Sequence, residues 1–352
     1  MKREKLGQSD ADVSAFCLGT MTFGNQTDES DAHAQIDLAL SVGITFLDCA
    51  EMYPVNPVRK ETAGRSEEII GNWIARTGRR NEIEIATKVT GNGSAVRDGE
   101  GFDGKIIART IDASLKRLRT DVIDLYQLHW PMRGSYGFRQ NWKFDPSGQN
   151  RQQNLDHMAE VLGALSDAVQ AGKIRAFGLS NESAWGTVRW IDTAERLGGP
   201  RVAAIQNEYS LLYRAYDTDL AEVAVNEGVT LLAYSPLAAG LLTGKYQGGA
   251  VPDGSRVAAD LASGGAGNLG GRKTDRAHKA VDSYQQLARM SGIDPVHMAL
   301  AWLRTRPFHT IPILGATSVT QLEQQLPGLE VPITDDLKSA IDDLNRAWPM
   351  PY

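Results

Sequence analysis

Residues 31–48, DAHAQIDLALSVGITFLD, contain the chain's repeating unit in full. Apolar residues recur every three or four positions up to Leu40, a helical period, and Gly43 offers the left-handed turn that ends such a helix. ITFLD then reads as a short buried strand closing on Asp48. The same order returns at 157–172 leading into IRAFGLS (174–180), and at 219–228 leading into VTLLAYS (229–235), with Gly172 and Gly228 as the stops. Further strands are expected at AFCLG (15–19), IEIAT (83–87), DLYQL (124–128), VAAIQ (202–206) and TIPIL (310–314). Helices are expected at 66–76, 105–118, 187–197 and 278–290. Eight apolar strands without polar alternation, separated by amphipathic helices, predict a parallel sheet covered on both faces. At this length they favour a (β/α)8 TIM barrel over an open sheet, as one unit spanning residues 1–352.

A barrel predicts where function sits, because its active site gathers at the C-terminal ends of the strands. Asp48, Lys88, His129, Ser180, Asn207 and Tyr234 all fall there. In an open sheet they would lie along a line, whereas in a closed one they ring a single mouth.

Composition narrows the chemistry. The 352 residues are 42% apolar and 23% charged, ordinary globular usage that excludes a fibre or a disordered chain. With 37 basic against 43 acidic residues the net charge is −6, and no basic stripe offers a nucleic-acid surface. The start MKREKLGQSD lacks the apolar run of a secretory signal, and no stretch approaches a membrane span, so a cytoplasmic protein without a membrane partner is expected. Cys17 and Cys49 are too few for a disulfide framework or a cysteine metal site and read as buried thiols. No metal is expected.

Asp48, Tyr53, Lys88 and His129 carry the chemistry. Singly each has an ordinary structural explanation: a helix cap, a packed ring, a solvated rim lysine, a satisfied imidazole. Together they suit proton delivery to an oxygen. A free tyrosine, with a pKa of about 10, is a poor donor near neutrality unless a neighbour stabilises its phenolate. Lys88 is the expected neighbour, Asp48 would hold that lysine, and His129 would hydrogen-bond a substrate carbonyl.

Eight stretches carry a resemblance to a known family: LGTMTFG (18–24), FLDCAEMY (46–53), IATKV (85–89), SLKRLRTDVIDLYQLHWP (114–131), GKIRAFGLSN (172–181), IQNEYSLL (205–212), YSPLAAGLLTGKY (234–246) and LGATSVTQLEQQ (314–325). In this order the chain resembles the aldo-keto reductases over nearly its full length. The resemblance implies an NADPH-dependent reductase of small aldehydes or ketones, with Asp48, Tyr53, Lys88 and His129 as catalytic tetrad. It places Gly19, Thr20, Met21 and Asp48 beside the cofactor, Ser180, Asn181 and Gln206 on the nicotinamide carboxamide, and Tyr234 against its ring. Ser235, Pro236, Leu237, Gly240 and Lys245 match the pyrophosphate loop, with Arg256 as a further cation. Gly315, Thr317, Gln321, Gln324 and Gln325 fall at the adenosine end. Gln321 and Gln325 stand where the family often has Arg and Asn, which leaves NADH open beside NADPH. Met21, Phe23, Tyr53, His129 and Trp130 are the expected walls of the substrate pocket.

Gly265, Gly267 and Gly270 spell G-x-G-x-x-G, but no strand precedes them, so the stretch reads as a mobile loop able to fold over a bound cofactor. Residues 130–154 form a long segment rich in aromatic and basic side chains, a lid suited to an aromatic or anionic carbonyl compound or a loop packing on the barrel. His33, His157, His278, His297 and His309 read as structural. The rival functions are a lyase forming a Schiff base at Lys88 and a slowly turning dinucleotide-binding module.

Overall fold

The computed structural model describes all 352 residues. An N-terminal hairpin, β1 (Arg3–Lys5) and β2 (Asp12–Ser14), precedes eight barrel strands: β3 (Cys17–Gly19), β4 (Phe46–Asp48), β5 (Glu84–Val89), β6 (Ile123–Leu128), β7 (Ile174–Ser180), β8 (Val202–Glu208), β9 (Thr230–Tyr234) and β10 (Thr310–Gly315). These run parallel in chain order, and β10 closes the ring beside β3. All eight strands fall where the helix–strand pattern predicted them, and the fold is a (β/α)8 TIM barrel.

The helices are α1 (Glu29–Ser41), α2 (Arg65–Thr77), α3 (Gly104–Leu118), α4 (Arg151–Gln170), α5 (Ala184–Leu197), α6 (Asp219–Glu227), α7 (Arg256–Ala262), α8 (Asp275–Met290), α9 (Pro295–Leu303), α10 (Val319–Gln325) and α11 (Asp335–Ala347). None is long and apolar enough to cross a membrane. Their starts follow from side-chain caps, Asp28 for α1, Asp103 for α3 and Ser183 for α5, each accepting from a first-turn N–H. The expected stops Gly43, Gly172 and Gly228 take φ of 81°, 71° and 64°.

Strand register sets the level of the mouth. Gly19 pairs with Asp48, Lys88 with Gln127, Ser180 with Gln206, and Gly315 with Gly19 across the closing seam. Most apolar burial lies outside the strands, where 73 residues join strand backs to helices; a cluster of 13 fills the barrel interior. Strands buried on both faces explain the absence of polar alternation.

The hairpin plugs the floor. Leu6, Ala11 and Val13 belong to the inner cluster with Phe46, Leu125 and Leu232. Glu4 binds it to the barrel through Arg304 and through His309 Nε2, 2.7 Å away. Gly7 makes the turn possible at φ 58°, and its N–H donates to Thr230 Oγ1 at 2.8 Å.

Several elements escaped the sequence reading. The hairpin strands have three residues each, and α7 and α10 have seven, too few to show a period. In α9 every residue from Met298 to Leu303 is buried, so it has no polar face to reveal its pitch. The helix α11 did carry a legible signal, the Thr334 cap followed by Asp335 and Asp336. Cys17 and Cys49 are buried free thiols, as expected.

Gly7→Ala is expected to destabilise the protein by about 2–3 kcal/mol, from positive φ and overpacking together. A Cβ there would lie 2.2 Å from Ala203 O. The midpoint of urea unfolding measures the loss, and an unchanged midpoint would show that the floor plug does not hold the barrel.

Candidate active site

Asp48, the last residue of β4, and Lys88, on β5, meet in the barrel interior with side chains 3% and 0% exposed. Lys88 Nζ donates to both Asp48 oxygens, at 2.8 and 2.7 Å, and to Cys49 O at 2.8 Å. Two amides complete the carboxylate's shell: Gln206 Nε2 at 2.8 Å and Gln127 Nε2 at 3.2 Å, both on Oδ1. Asp48 therefore caps no helix, and Lys88 is not a solvated rim residue. Burial opposes the lysine's charge, but Asp48 reverses this and holds the ammonium above its ordinary range.

Tyr53 lies in the turn after β4, with Lys88 Nζ 4.9 Å from its ring centre. Its ring meets His129 edge to face at 5.9 Å. Burial pushes the Tyr53 hydroxyl up to about 12, against the downward pull of Lys88. The expectation that Lys88 makes this phenol acidic is thus not met in the free protein. Burial is the main reason, and Asp48 adds to it by offsetting part of the lysine's field. His129, the residue after β6, has its pKa pushed well below the usual imidazole value, first by burial and then by Lys88, so the ring is neutral. Its Nδ1 is buried without a partner. Hiding a lone pair there rather than an N–H puts the proton on Nε2.

Tyr53 and His129 face a cavity of about 730 Å³ at the C-terminal mouth. Its walls include Gly19, Met21, Asp48, Ser180, Asn181, Gln206, Tyr234 and the segment from Ser235 through Pro236, Leu237 and Gly240 to Lys245 and Arg256. At the far end stand Gly315, Thr317, Gln321, Gln324 and Gln325. Gly19 leaves no space for a side chain, since a Cβ would lie 2.8 Å from Ile313 Cγ2.

Four expected positions do not reach this cavity. Thr20 turns its hydroxyl to Asp48 O, at 2.9 Å, and to Ser66 Oγ. Phe23 is fully buried in the outer core. Trp130 lies behind Phe138 and hands its indole N–H to Asn92 O at 3.1 Å. Asn207 spends its amide on the Glu182 backbone. Met52, Val55, Val58 and Phe138 are apolar walls that the sequence reading did not name.

Residues 130–150 form the loop, since α4 begins at Arg151. The loop's two arginines are paired, and Lys143 is exposed to solvent. Arg133 pairs with Glu182, and Arg139 donates to Glu208 Oε2 at 2.9 Å and to Gly270 O at 2.7 Å. Glu208 also accepts from Arg272 Nε at 2.7 Å and from the Tyr352 hydroxyl at 3.2 Å. The glycine stretch around Gly270 is thereby tied to the lid. No strand precedes it, only α7, so it is not a nucleotide fingerprint.

Among the charged groups lining the cavity, Lys245 and Arg256 alone lack a carboxylate partner. Arg256 contacts Met21 Sδ at 3.8 Å, and burial together with Arg272 lowers its pKa to about 10. Lys245 is lowered as well, by burial and by Arg256. Two neighbouring cations without counter-charge fit an anionic group such as a pyrophosphate. The backbone there is unusual: Ser235, Ala238 and Ala239 have φ of 52°, 49° and 56°.

A closed barrel whose mouth sets a buried lysine–aspartate pair behind a tyrosine and a neutral histidine defines a class, and the comparisons agree: the chain belongs to the aldo/keto reductase family, whose model matches residues 15–346. It is an oxidoreductase of that family, which generally uses NADP(H). The chain is 41% identical to Protein tas of Escherichia coli, over 100% of this chain and 99% of that protein. It is 32% identical to the uncharacterized oxidoreductase YrpG of Bacillus subtilis, over 98% and 96%. A probable voltage-gated potassium channel subunit beta of Arabidopsis thaliana is 31% identical, over 94% and 92%.

Burial alone would raise the Glu208 carboxyl, but Arg272 and Arg139 more than reverse this and hold it below the ordinary carboxylate range. A depressed folded-state pKa contributes stability that is present above the unfolded value, near 4.3, and is lost as pH falls through the folded one. Glu208→Gln is therefore expected to lose about 3–5 kcal/mol at pH 7 by stranding two cations. It should also show a flatter decline in stability than the parent below about pH 4.3. Urea unfolding at pH 7 and below pH 4 tests both; parallel declines would remove Glu208 as the titrating anchor.

Proposed function

We propose that the protein reduces small, uncharged aldehydes or ketones to alcohols with NAD(P)H, Tyr53 serving as proton donor. The observation that carries this reading is a protonated phenol and a neutral imidazole on one cavity wall, above a fully buried ammonium–carboxylate pair. When bound, reduced nicotinamide supplies the hydride for the carbonyl carbon. As charge develops on the carbonyl oxygen, His129 Nε2–H is the donor that orients it, and Tyr53 passes its proton to it. A phenol near 12 holds its proton at neutral pH yet yields it to an oxygen approaching alkoxide basicity, of the order of hydroxide with water at about 15.7. The adjacent Lys88 ammonium then stabilises the phenolate until it is reprotonated.

The cavity's two ends support the assignment of the cofactor residues. Lys245 and Arg256, with the Ser235–Pro236–Leu237 turn and Gly240, suit the pyrophosphate, while Tyr234 suits the ring. Thr317, Gln321, Gln324 and Gln325 suit the adenosine end, where Gln325 Oε1 is buried without a partner. Residues 316–325 hold no lysine or arginine, so discrimination for a 2′-phosphate rests on amides and hydroxyls, and both NADPH and NADH are proposed as cofactors.

A Schiff base at Lys88 is disfavoured, because a nucleophilic lysine needs a depressed pKa and this one is raised and held by Asp48. The slow-turnover alternative draws on the channel-subunit relative. It separates from a reductase by turnover alone.

Tyr53→Phe should abolish carbonyl reduction, lowering kcat by at least about a hundredfold, while the dissociation constant for NADPH stays within about threefold. Comparable turnover by the variant would remove Tyr53 from its role. The substrate end holds Met52, Val55, Val58 and Phe138, and the lid arginines are paired, so an anionic substrate finds no free cation. We accordingly expect kcat/KM for benzaldehyde to exceed that for 4-carboxybenzaldehyde by at least about tenfold. Equal values would restore the anionic class.

A further inference from the structure

We infer that Met21 is a site of oxidation by hydroperoxides, and that its sulfoxide takes up Arg256 and weakens anion binding in the cavity. The effect on binding rests on the dinucleotide-binding reading above, whereas the modification itself does not. Of the eight methionines, Met21 alone accepts a hydrogen bond from a charged side chain. Arg256 Nη2 lies 3.8 Å from its sulfur, and this weak acceptor is the only one in the protein that the guanidinium reaches. Met21 is partly exposed and lines the mouth cavity, where a small peroxide has access to it. Cys17 and Cys49 are fully buried, and burial pushes both thiols up, so no thiolate competes for the oxidant.

In the step, a sulfur lone pair attacks the terminal oxygen of the hydroperoxide. The O–O bond breaks as the S–O bond forms, and the hydroxyl proton passes to the departing oxygen. Sulfur is oxidised to the sulfoxide, and the peroxide is reduced to an alcohol, or to water when the reagent is hydrogen peroxide. The product differs from the thioether in the property that this contact depends on. A thioether is a poor acceptor, whereas a sulfoxide oxygen is polar and accepts strongly. An oxygen added on the side of the guanidinium stands one bond nearer than the sulfur and brings the 3.8 Å contact into hydrogen-bond range. Arg256 has no carboxylate to compete for it, so the sulfoxide holds the N–H edge that an anionic ligand needs.

The test treats the full chain with hydrogen peroxide, locates added oxygen by peptide mass spectrometry, and measures the Kd for NADP+ by isothermal titration before and after. Met290, 78% exposed, reports that the reagent has acted. Met21 should gain one oxygen under the conditions that oxidise Met290. The Kd should then rise by about tenfold, the worth of one charge-assisted hydrogen bond, and methionine sulfoxide reductase should restore it. In Met21→Leu the same treatment should change Kd by less than about twofold, which separates Met21 from Met52, the other methionine of the cavity. Should Met21→Leu not fold, Met52→Leu takes its place, and there the loss should persist in full. The inference is overturned by Met21 left intact while Met290 is oxidised, or by an unchanged Kd once Met21 carries oxygen. It is equally overturned by a loss that persists in Met21→Leu or vanishes in Met52→Leu. Each of these leaves the cofactor reading in place. A parent that binds no NADP+ before treatment overturns that reading, and the consequence for binding with it.

Discussion

The Lys88–Asp48 pair is the constraint around which the mouth of the barrel is organised. An ammonium with no exposure is costly to desolvate, and a buried pair is tolerated only when its remaining hydrogen-bonding capacity is met. Here Cys49 O, Gln127 and Gln206 meet it. These groups come from β5, β6, β8 and the ends of β4, so the pair is satisfied only when the sheet has closed. Removing either partner would leave an uncompensated charge at the centre of the protein. Its value to the protein is therefore positional more than stabilising: it fixes a positive charge beneath Tyr53 that water cannot screen.

That charge divides the cavity electrostatically. Burial and then this charge keep His129 neutral, while burial, with Asp48 offsetting part of the charge, leaves Tyr53 protonated. The reacting end of the cavity thus carries no net charge and is walled by apolar side chains, whereas the opposite end carries two cations without partners. A ligand that is neutral at one extremity and anionic along its length matches this gradient. The same logic explains why the lid's arginines are not free for a ligand, although Arg139 lines the cavity. Glu182 and Glu208 are more deeply buried than the arginines, and each would be an orphaned carboxylate without them.

Glu208 ties three distant segments together. The lid after β6, the glycine stretch after α7 and the C-terminal Tyr352 converge on one carboxylate at the end of β8. Loops of this length gain order from such anchors because closure entropy grows only slowly with length, while each charge-assisted contact is worth more than a neutral one. The left-handed backbone at Asn181, Ser235, Ala238 and Ala239 is concentrated at the same rim. Local strain is being held there by a rigid strand framework.

Most of the barrel was legible from residues alone, because a strand buried on both faces and a helix buried on one leave unmistakable periods, and a glycine marks most of the helix-to-strand junctions. Asp48, Tyr53, Lys88 and His129 were legible through their motifs. So were most of the cavity walls at 235–245 and 315–325. What the linear pattern could not carry is direction. Thr20 and Phe23 sit beside Met21, yet one bonds the backbone and the other enters the core, since neighbouring residues after a strand face different ways. Gln127 falls inside the expected strand 124–128 and Glu208 just past the expected strand 202–206, and neither position carried a signal of its role. Their partners lie on other strands, and hydrogen bonds across a barrel exist only once the ring is shut. Local periodicity settled which segments are helix and strand; closure settled which polar groups meet, because desolvated charges must be paired by whatever the far side of the ring supplies.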